Sequence, residues 1–228
     1  MKNIYLLLTL VGVMLTSTFS DASAQRTPSD TISDHEYCDQ HLTINVTQPC
    51  AHQGTTAPYK VGDYYNVNGK QGVVFEVWDN GLHGKIVSLD ETSAKWDSRA
   101  EWSDSEQEYI NGTKIGANNK RNGKANTDKV MQRGDSDQYP AFVWCRNKGA
   151  DWYLPAKDEL MTIYNNKSAI NSTLAKYGAQ LEDYWYWSST EYEDYAPEFW
   201  AWLVSMGYGY TYYNGKYSYG YVRAVSAF

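Results

Sequence analysis

Tyrosine recurs at every second position from Tyr208 to Tyr212 and again from Tyr217 to Tyr221, on either side of Asn214-Gly215. A period of two suits an extended strand, whose alternate side chains share a face, and it does not suit a helix. Asn-Gly is the dipeptide favoured in a two-residue type I′ hairpin turn. A hairpin closed there predicts Tyr212 opposite Tyr217, Tyr210 opposite Tyr219 and Tyr208 opposite Tyr221. Six tyrosines would then stand on one face, with Gly207, Gly209, Thr211, Ser218 and Gly220 on the other. Such a face either packs a core as ordinary sheet stabilisation or forms a recognition surface, because tyrosine combines a large rigid ring with a polar tip. The stretch from Tyr184 to Phe228 holds eleven of the twenty-one tyrosines and four of the nine tryptophans.

At the other end, Lys2, the largely apolar run from Ile4 to Phe19 and Ala22-Ser23-Ala24 read as a secretory signal peptide over residues 1–24, cut before Gln25. Export follows, to the periplasm, the cell surface or the medium. The apolar run is short for a membrane span and nothing comparable comes after it, so no direct membrane span is expected. The net charge of −7 argues against nucleic acid or an anionic membrane as partner.

Residues 25–58 are rich in Thr, Ser, Asp and Gln without apolar period, and read as a flexible stalk. His35, Cys38, His41, Cys50 and His52 all fall in it. In an exported chain they read as a Cys38–Cys50 disulfide closing a small loop, with a Zn or Cu site as the alternative.

Folded-domain sequence spans residues 59–228. Residues 72–78 and 84–89 form a first hairpin around Asp79-Asn80-Gly81, and residues 94–133 wander over the surface. Pro140 opens a helix that stops at Gly149. Pro155 opens a second, with Asp158 and Glu159 near its positive end, and Ser168 to Tyr177 forms a third. Cys145 reads as a small core residue. Strands at both ends and helices between define an α+β plan, with the two chain ends meeting in one sheet.

Trp152-Tyr153-Leu154-Pro155, with Glu159-Leu160, then Trp187-Ser188-Ser189-Thr190-Glu191 and the closing Val222-Arg223-Ala224-Val225 resemble a bacterial family of C-type lectin-like domains. The resemblance implies that fold, with mixed and antiparallel strands and two or three short helices, over Tyr59 to Phe228. Within the family the chain is similar to the variable proteins of diversity-generating retroelements, in which ligand-contacting codons are rewritten on a fixed scaffold. That implies variation among the Tyr, Asn, Ser, Asp and Gly crowding Tyr192 to Tyr219, and a scaffold role for Leu154, Pro155, Trp187, Ser188 and Arg223. The working residues of three relatives are missing here: the calcium-dependent sugar site, the paired cysteines of formylglycine-generating enzymes, and the histidine cluster of sulfoxide synthases.

The leading functional expectation is a non-enzymatic exported domain, needing no cofactor or metal, that contacts a protein or glycan ligand at a cell surface. Its expected contacts are Tyr208, Tyr210, Tyr212, Tyr217 and Tyr219, with Tyr192, Asp194, Tyr195 and Asn214 as the rim. A structural subunit or tip component of a surface appendage is the alternative. A third reading, a glycan-active enzyme, would draw on Asp158, Glu159, Glu191, Glu193, Asp194 and Glu198.

Overall fold

The structure is a computed structural model and describes residues 58–228. The signal peptide, nearly all of the stalk, and the His35, Cys38, His41, Cys50 and His52 group lie outside the described residues.

The first sheet opens with β1 (Tyr64–Val67) and β2 (Lys70–Trp78), joined at Asn68-Gly69. Val67 pairs with Lys70, and both turn residues have positive φ, 52° and 81°, the conformation that the type I′ turn requires. The strand β3 (His83–Val87) follows, and the last strand, β11 (Val225–Ala227), pairs antiparallel with it. The order β1-β2-β3-β11 brings both ends of the domain into one sheet, as expected.

The second sheet has five strands in the order β4-β10-β7-β8-β9. They are β4 (Thr92–Lys95), β7 (Trp185–Glu191), β8 (Trp200–Ser205), β9 (Thr211–Gly215) and β10 (Tyr219–Val222). A separate two-stranded ribbon, β5 (Glu101–Ser103) and β6 (Glu108–Ile110), projects from the polar middle of the chain.

The hairpin expected at Asn214-Gly215 does not form. Strand β9 pairs with β8, while β10 is separated from β9 by β8 and β7, antiparallel to β4 and bridged in parallel to β7 at Tyr221 and Tyr186. Asn214-Gly215 sits inside β9, and the chain then dives inward at Lys216, which is fully buried. The hairpin that does form joins β8 to β9 through Met206–Tyr210, where Ser205 N donates to Tyr210 O (2.9 Å) and Gly209 N to Ser205 O (2.9 Å). Gly209 has φ +71°, and a Cβ there would come within 2.3 Å of the Tyr164 ring. Local turn propensity at Asn214-Gly215 is therefore overridden by the tertiary pull on the next residue.

Among the described residues four α-helices stand where two or three were expected. The unforeseen one, α1 (Gly123–Met131), lies in the stretch read as wandering, capped by Asn122, whose side chain accepts from Ala125 N. Helix α2 (Pro140–Arg146) begins at its proline as predicted. The next, α3 (Lys157–Asn165), starts two residues after Pro155, and α4 (Lys167–Leu174) runs on through a short 3-10 turn to Gly178.

Val73, Val74 and Phe75 are all fully buried, because β2 has core on both faces. Val74 joins Trp96, Phe142, Cys145, Leu154, Trp187 and Leu203 in a core completed by α1 and α2. Val73 and Phe75 join Leu160, Ile163, Ile170, Tyr186, Val204 and Val225 in a second core under α3 and α4. Strands β7 and β8 serve both cores in the same alternating way.

The sequence motifs mark where charges are buried to tie these layers together. Between Trp187 and Glu191 the β7/β8 register shifts, so Ser188, Ser189 and Thr190 bulge from the ladder. Ser188 Oγ donates to Trp202 O (2.8 Å), Ser188 O accepts from Trp96 Nε1 (2.9 Å), and Ser189 N donates to Pro155 O (2.8 Å). Glu191 accepts from the backbone N–H of Ile115, Gly116 and Ala117 and from Lys216 Nζ (2.7 Å). Lys216 Nζ also reaches Thr113 O (3.0 Å) and Pro197 O (2.7 Å) and lies 4.3 Å from the centre of the Trp96 ring. Burial lowers the Lys216 pKa, and Glu191 acts against that shift.

Glu159 does similar work, accepting from Gly123 N, Ala156 N and Tyr153 Oη and pairing with Lys85 (3.0 Å). Arg223, 2% exposed, donates to Glu91, Ser88 O, Leu89 O and Gln180 O.

Removing Lys216 leaves a buried carboxylate without its cation. Lys216→Ala is expected to destabilise the domain by about 3–5 kcal/mol, read from urea unfolding.

A second prediction concerns acid stability. Hydrogen bonds from Arg133, and then from Arg99, hold the Asp135 carboxyl at about 2. Its unfolded value is about 3.9, so this contribution is complete above that pH and is lost as the pH falls through the folded value. Asp135→Asn should cost stability near neutrality, and its difference from the parent should vanish as urea titrations are carried down towards about pH 2.

Candidate functional site

Strand register fixes where the aromatic side chains of the second sheet go. Trp200, Trp202 and Val204 share a face with Gly215, Tyr213 and Thr211 of the neighbouring edge strand. Near one end of this face Val204 packs into the core. Towards the other, Trp202 and Tyr213 remain half-buried and meet Tyr192 from the loop after β7. Tyr192 stacks on Tyr213 at 4.0 Å and meets Trp202 edge-on at 5.0 Å, while Trp200 stands edge-on to Tyr213 at 5.8 Å.

The projecting ribbon extends this group. Tyr109 of β6 lies 4.9 Å from Trp200, 5.7 Å from Phe199, 5.8 Å from Tyr217 and 4.8 Å from Trp102 of β5. Burial and a hydrogen bond to Tyr217 raise the Tyr109 pKa. At the opposite end Tyr213 leads to Tyr212 (5.2 Å) and on to Trp185 (6.1 Å). The result is a belt of touching rings across β5, β6, β8 and β9 that ends at Trp185 of β7. Trp102, Trp185 and Tyr212 are 42%, 40% and 57% exposed. Lys157 Nζ sits 5.6 Å from the centre of the Trp202 ring.

Edge-strand backbone adds to the surface. Ser205 N bonds to Tyr210 O and Lys216 N to Phe199 O. With the β8/β9 register this aims Tyr210, Tyr212 and Asn214 at β8 and leaves the N–H and C=O of Thr211 and Tyr213 pointing outward.

The loop from Tyr192 to Phe199 is held from below by Lys216 at Pro197 O and closed by Phe199 N donating to Ala196 O (2.9 Å). Ala196 has φ 41°, a left-handed conformation unfavourable for a residue with a side chain, which persists only where the surroundings over-determine it.

The residues expected to make contacts do not share one ribbon face. Tyr192, Tyr212 and Tyr217 belong to the belt, and Asp194 and Tyr195 are exposed on the loop beside it. Tyr208 and Tyr210 stack on each other at 6.2 Å at the β8/β9 turn, both strongly exposed. Tyr219 is exposed on β10, beyond β7, with Lys95 over its ring. Asn214 is half-buried, its Oδ1 accepting from Gly215 N (2.8 Å). The expected contacts did not include Trp102, Tyr109, Trp185, Phe199, Trp200, Trp202 or Tyr213. The alternation of Trp200 and Trp202 was a readable sign, whereas nothing in the polar sequence around Trp102 and Tyr109 showed that their ribbon folds onto β8.

Of the carboxylates that could serve hydrolysis, Glu159 and Glu191 are buried and already bound to backbone N–H groups and lysines. Asp158 lies with Glu76, Lys85, Arg121, Glu159 and Thr162 around a polar cleft of about 220 Å³, where it pairs with Lys157 and Arg121. Cys145 is fully buried and its thiol pKa is pushed well up by that burial, away from nucleophilic use. Among the described residues no group of three or more His, Cys, Asp or Glu could hold a metal ion, and no helix is long and apolar enough to cross a membrane.

The domain is an α+β scaffold of mixed and antiparallel strands with short helices, and its second sheet displays an aromatic belt. The chain belongs to the Lcl C-terminal domain family, whose model matches residues 85–226. Among solved structures it is similar to a fimbrial protein from Bacteroides ovatus, with a TM-score of 0.56 and 19% identity over 75% of this chain. The match spans 49% of that fimbrial protein's length. No curated protein matches the chain.

The exposures separate surface rings from structural ones. Tyr210→Ala with Tyr212→Ala should change unfolding stability by less than about 1 kcal/mol. Trp200→Ala, which removes the ring wedged against Tyr109 and Tyr213, should lose at least about 2 kcal/mol in the same measurement.

Proposed function

We propose that the chain is a non-enzymatic subunit or tip component of a cell-surface appendage, with the aromatic belt as a face that contacts a partner. The observation carrying this reading is the fold shared with the Bacteroides ovatus fimbrial protein over three quarters of the chain. The belt supports it from the physical side, since half-exposed Trp and Tyr rings backed by a rigid sheet have the composition of interface anchors. The outward backbone groups of Thr211 and Tyr213 offer a neighbouring strand a further place to pair. An exported location and the C-type lectin-like identity of the fold form part of this reading. The signal peptide pattern favours the first. The motif residues that knit the two cores together, with both chain ends in one sheet, favour the second.

A freely displayed receptor, its tyrosines rewritten by a retroelement, is the second reading. It is favoured by the exposure of Tyr195, Tyr208, Tyr210 and Tyr219, whose rings stand clear of the core.

Immunogold labelling of intact cells distinguishes the two. Gold on fibres, along the shaft or at the end, is the expected result. Label spread evenly over a surface without fibres would remove the appendage reading in favour of the receptor.

A further inference from the structure

We infer that the aromatic belt takes a polypeptide surface carrying arginine and lysine, and that its occupant is a different chain rather than a second copy of this one. This rests on the belt being a contact face and names the chemistry of what it contacts.

The argument starts from the distribution of charge. No Lys or Arg occurs between Arg99 and Lys114 or between Lys176 and Lys216, the two stretches that build most of the belt. Most carboxylates of the described residues have a basic partner within 4.0 Å. Those without one concentrate beside the belt: Glu101, Asp104, Glu106 and Glu108 on the β5/β6 ribbon, and Glu193, Asp194 and Glu198 on the loop after β7. Elsewhere only Asp63, Asp137 and Glu182 are without a basic partner among the described residues. Acid left unpaired beside rings, on a protein that pairs its acid nearly everywhere else, is charge available to something outside the domain.

The belt already holds one cation, Lys157 over Trp202. Ring faces attract cations, and a planar guanidinium can stack on a ring while hydrogen-bonding a carboxylate at its edge. The same field repels nucleic acid, sulfated glycans and anionic membranes. Two copies meeting belt to belt would oppose their own unpaired carboxylates, which disfavours that pairing.

The test uses the purified protein, fluorescent arginine, lysine and glutamate decapeptides, and two triple variants with the same change in net charge. The belt variant is Glu108→Gln, Glu193→Gln and Asp194→Asn; the control is Asp63→Asn, Asp137→Asn and Asp151→Asn. All six side chains are exposed, so both variants should fold.

At about 0.15 M salt the arginine peptide should bind more tightly than the lysine peptide, and the glutamate peptide should not bind. The belt variant should weaken arginine binding at least about tenfold, and the control less than about twofold. Trp102→Ala with Tyr212→Ala should erase the preference for arginine over lysine.

Equal weakening in the two triple variants would reduce the effect to net charge and overturn the inference, as would absent arginine binding. Self-association abolished by the belt variant would make a second copy the occupant and overturn it as well. Labelled fibres without peptide binding sink this inference alone. Peptide binding with gold scattered on a fibre-free surface sinks the appendage reading alone.

Discussion

The ion pair between Glu191 and Lys216 is the interaction on which the rest of the second sheet depends. Taking both charges out of water is unfavourable, and the site compensates by satisfying nearly every polar group it buries. Three backbone N–H groups and a lysine serve the carboxylate, and two carbonyls and a tryptophan face serve the ammonium. What results is positional. The end of β7, the 113–117 segment, the 192–199 loop and the turn into β10 all meet at two side chains, so the loop that carries Tyr192 has little freedom to move relative to the sheet that carries Tyr213.

That arrangement explains which parts of the molecule could be read from sequence. The first hairpin, the proline-opened helix α2 and the buried Cys145 follow from local propensity and apolar period, which act over a few residues, and the meeting of both ends in one sheet from the order of strands and helices. The pairing at the C-terminus does not. Asn68-Gly69 and Asn214-Gly215 carry the same turn signal, yet only the first makes a turn, because only the second is followed by a lysine with a buried acid waiting for it. Helix α1 was hidden for a related reason. Its buried face is short and includes Asn126 and Thr127, whose side chains bind Ser189 and Leu154 N, so little of it registers as apolar period.

The candidate site was legible as composition and not as geometry. Aromatic enrichment after Tyr184 marks the stretch that supplies most of the belt, and Tyr208, Tyr210, Tyr212 and Tyr219 are exposed. The register assumed for them did not hold, since β10 inserts between β4 and β7 instead of returning beside β9. Rings that a hairpin would have gathered are divided between two regions of the surface, and the belt is completed by Trp102 and Tyr109 from about a hundred residues upstream.

Closure by the C-terminus has its own kinetic meaning. Strand β11 takes the edge of the first sheet beside β3, and β10 sits between β4 and β7 in the second, so both sheets are completed by pairings that reach across most of the domain. Pairings of such long sequence separation are slow to form. Losing Val225–Ala227 would take an edge strand from the first sheet, whereas losing Tyr219–Val222 would take an internal strand from the second and leave β4 without a neighbour.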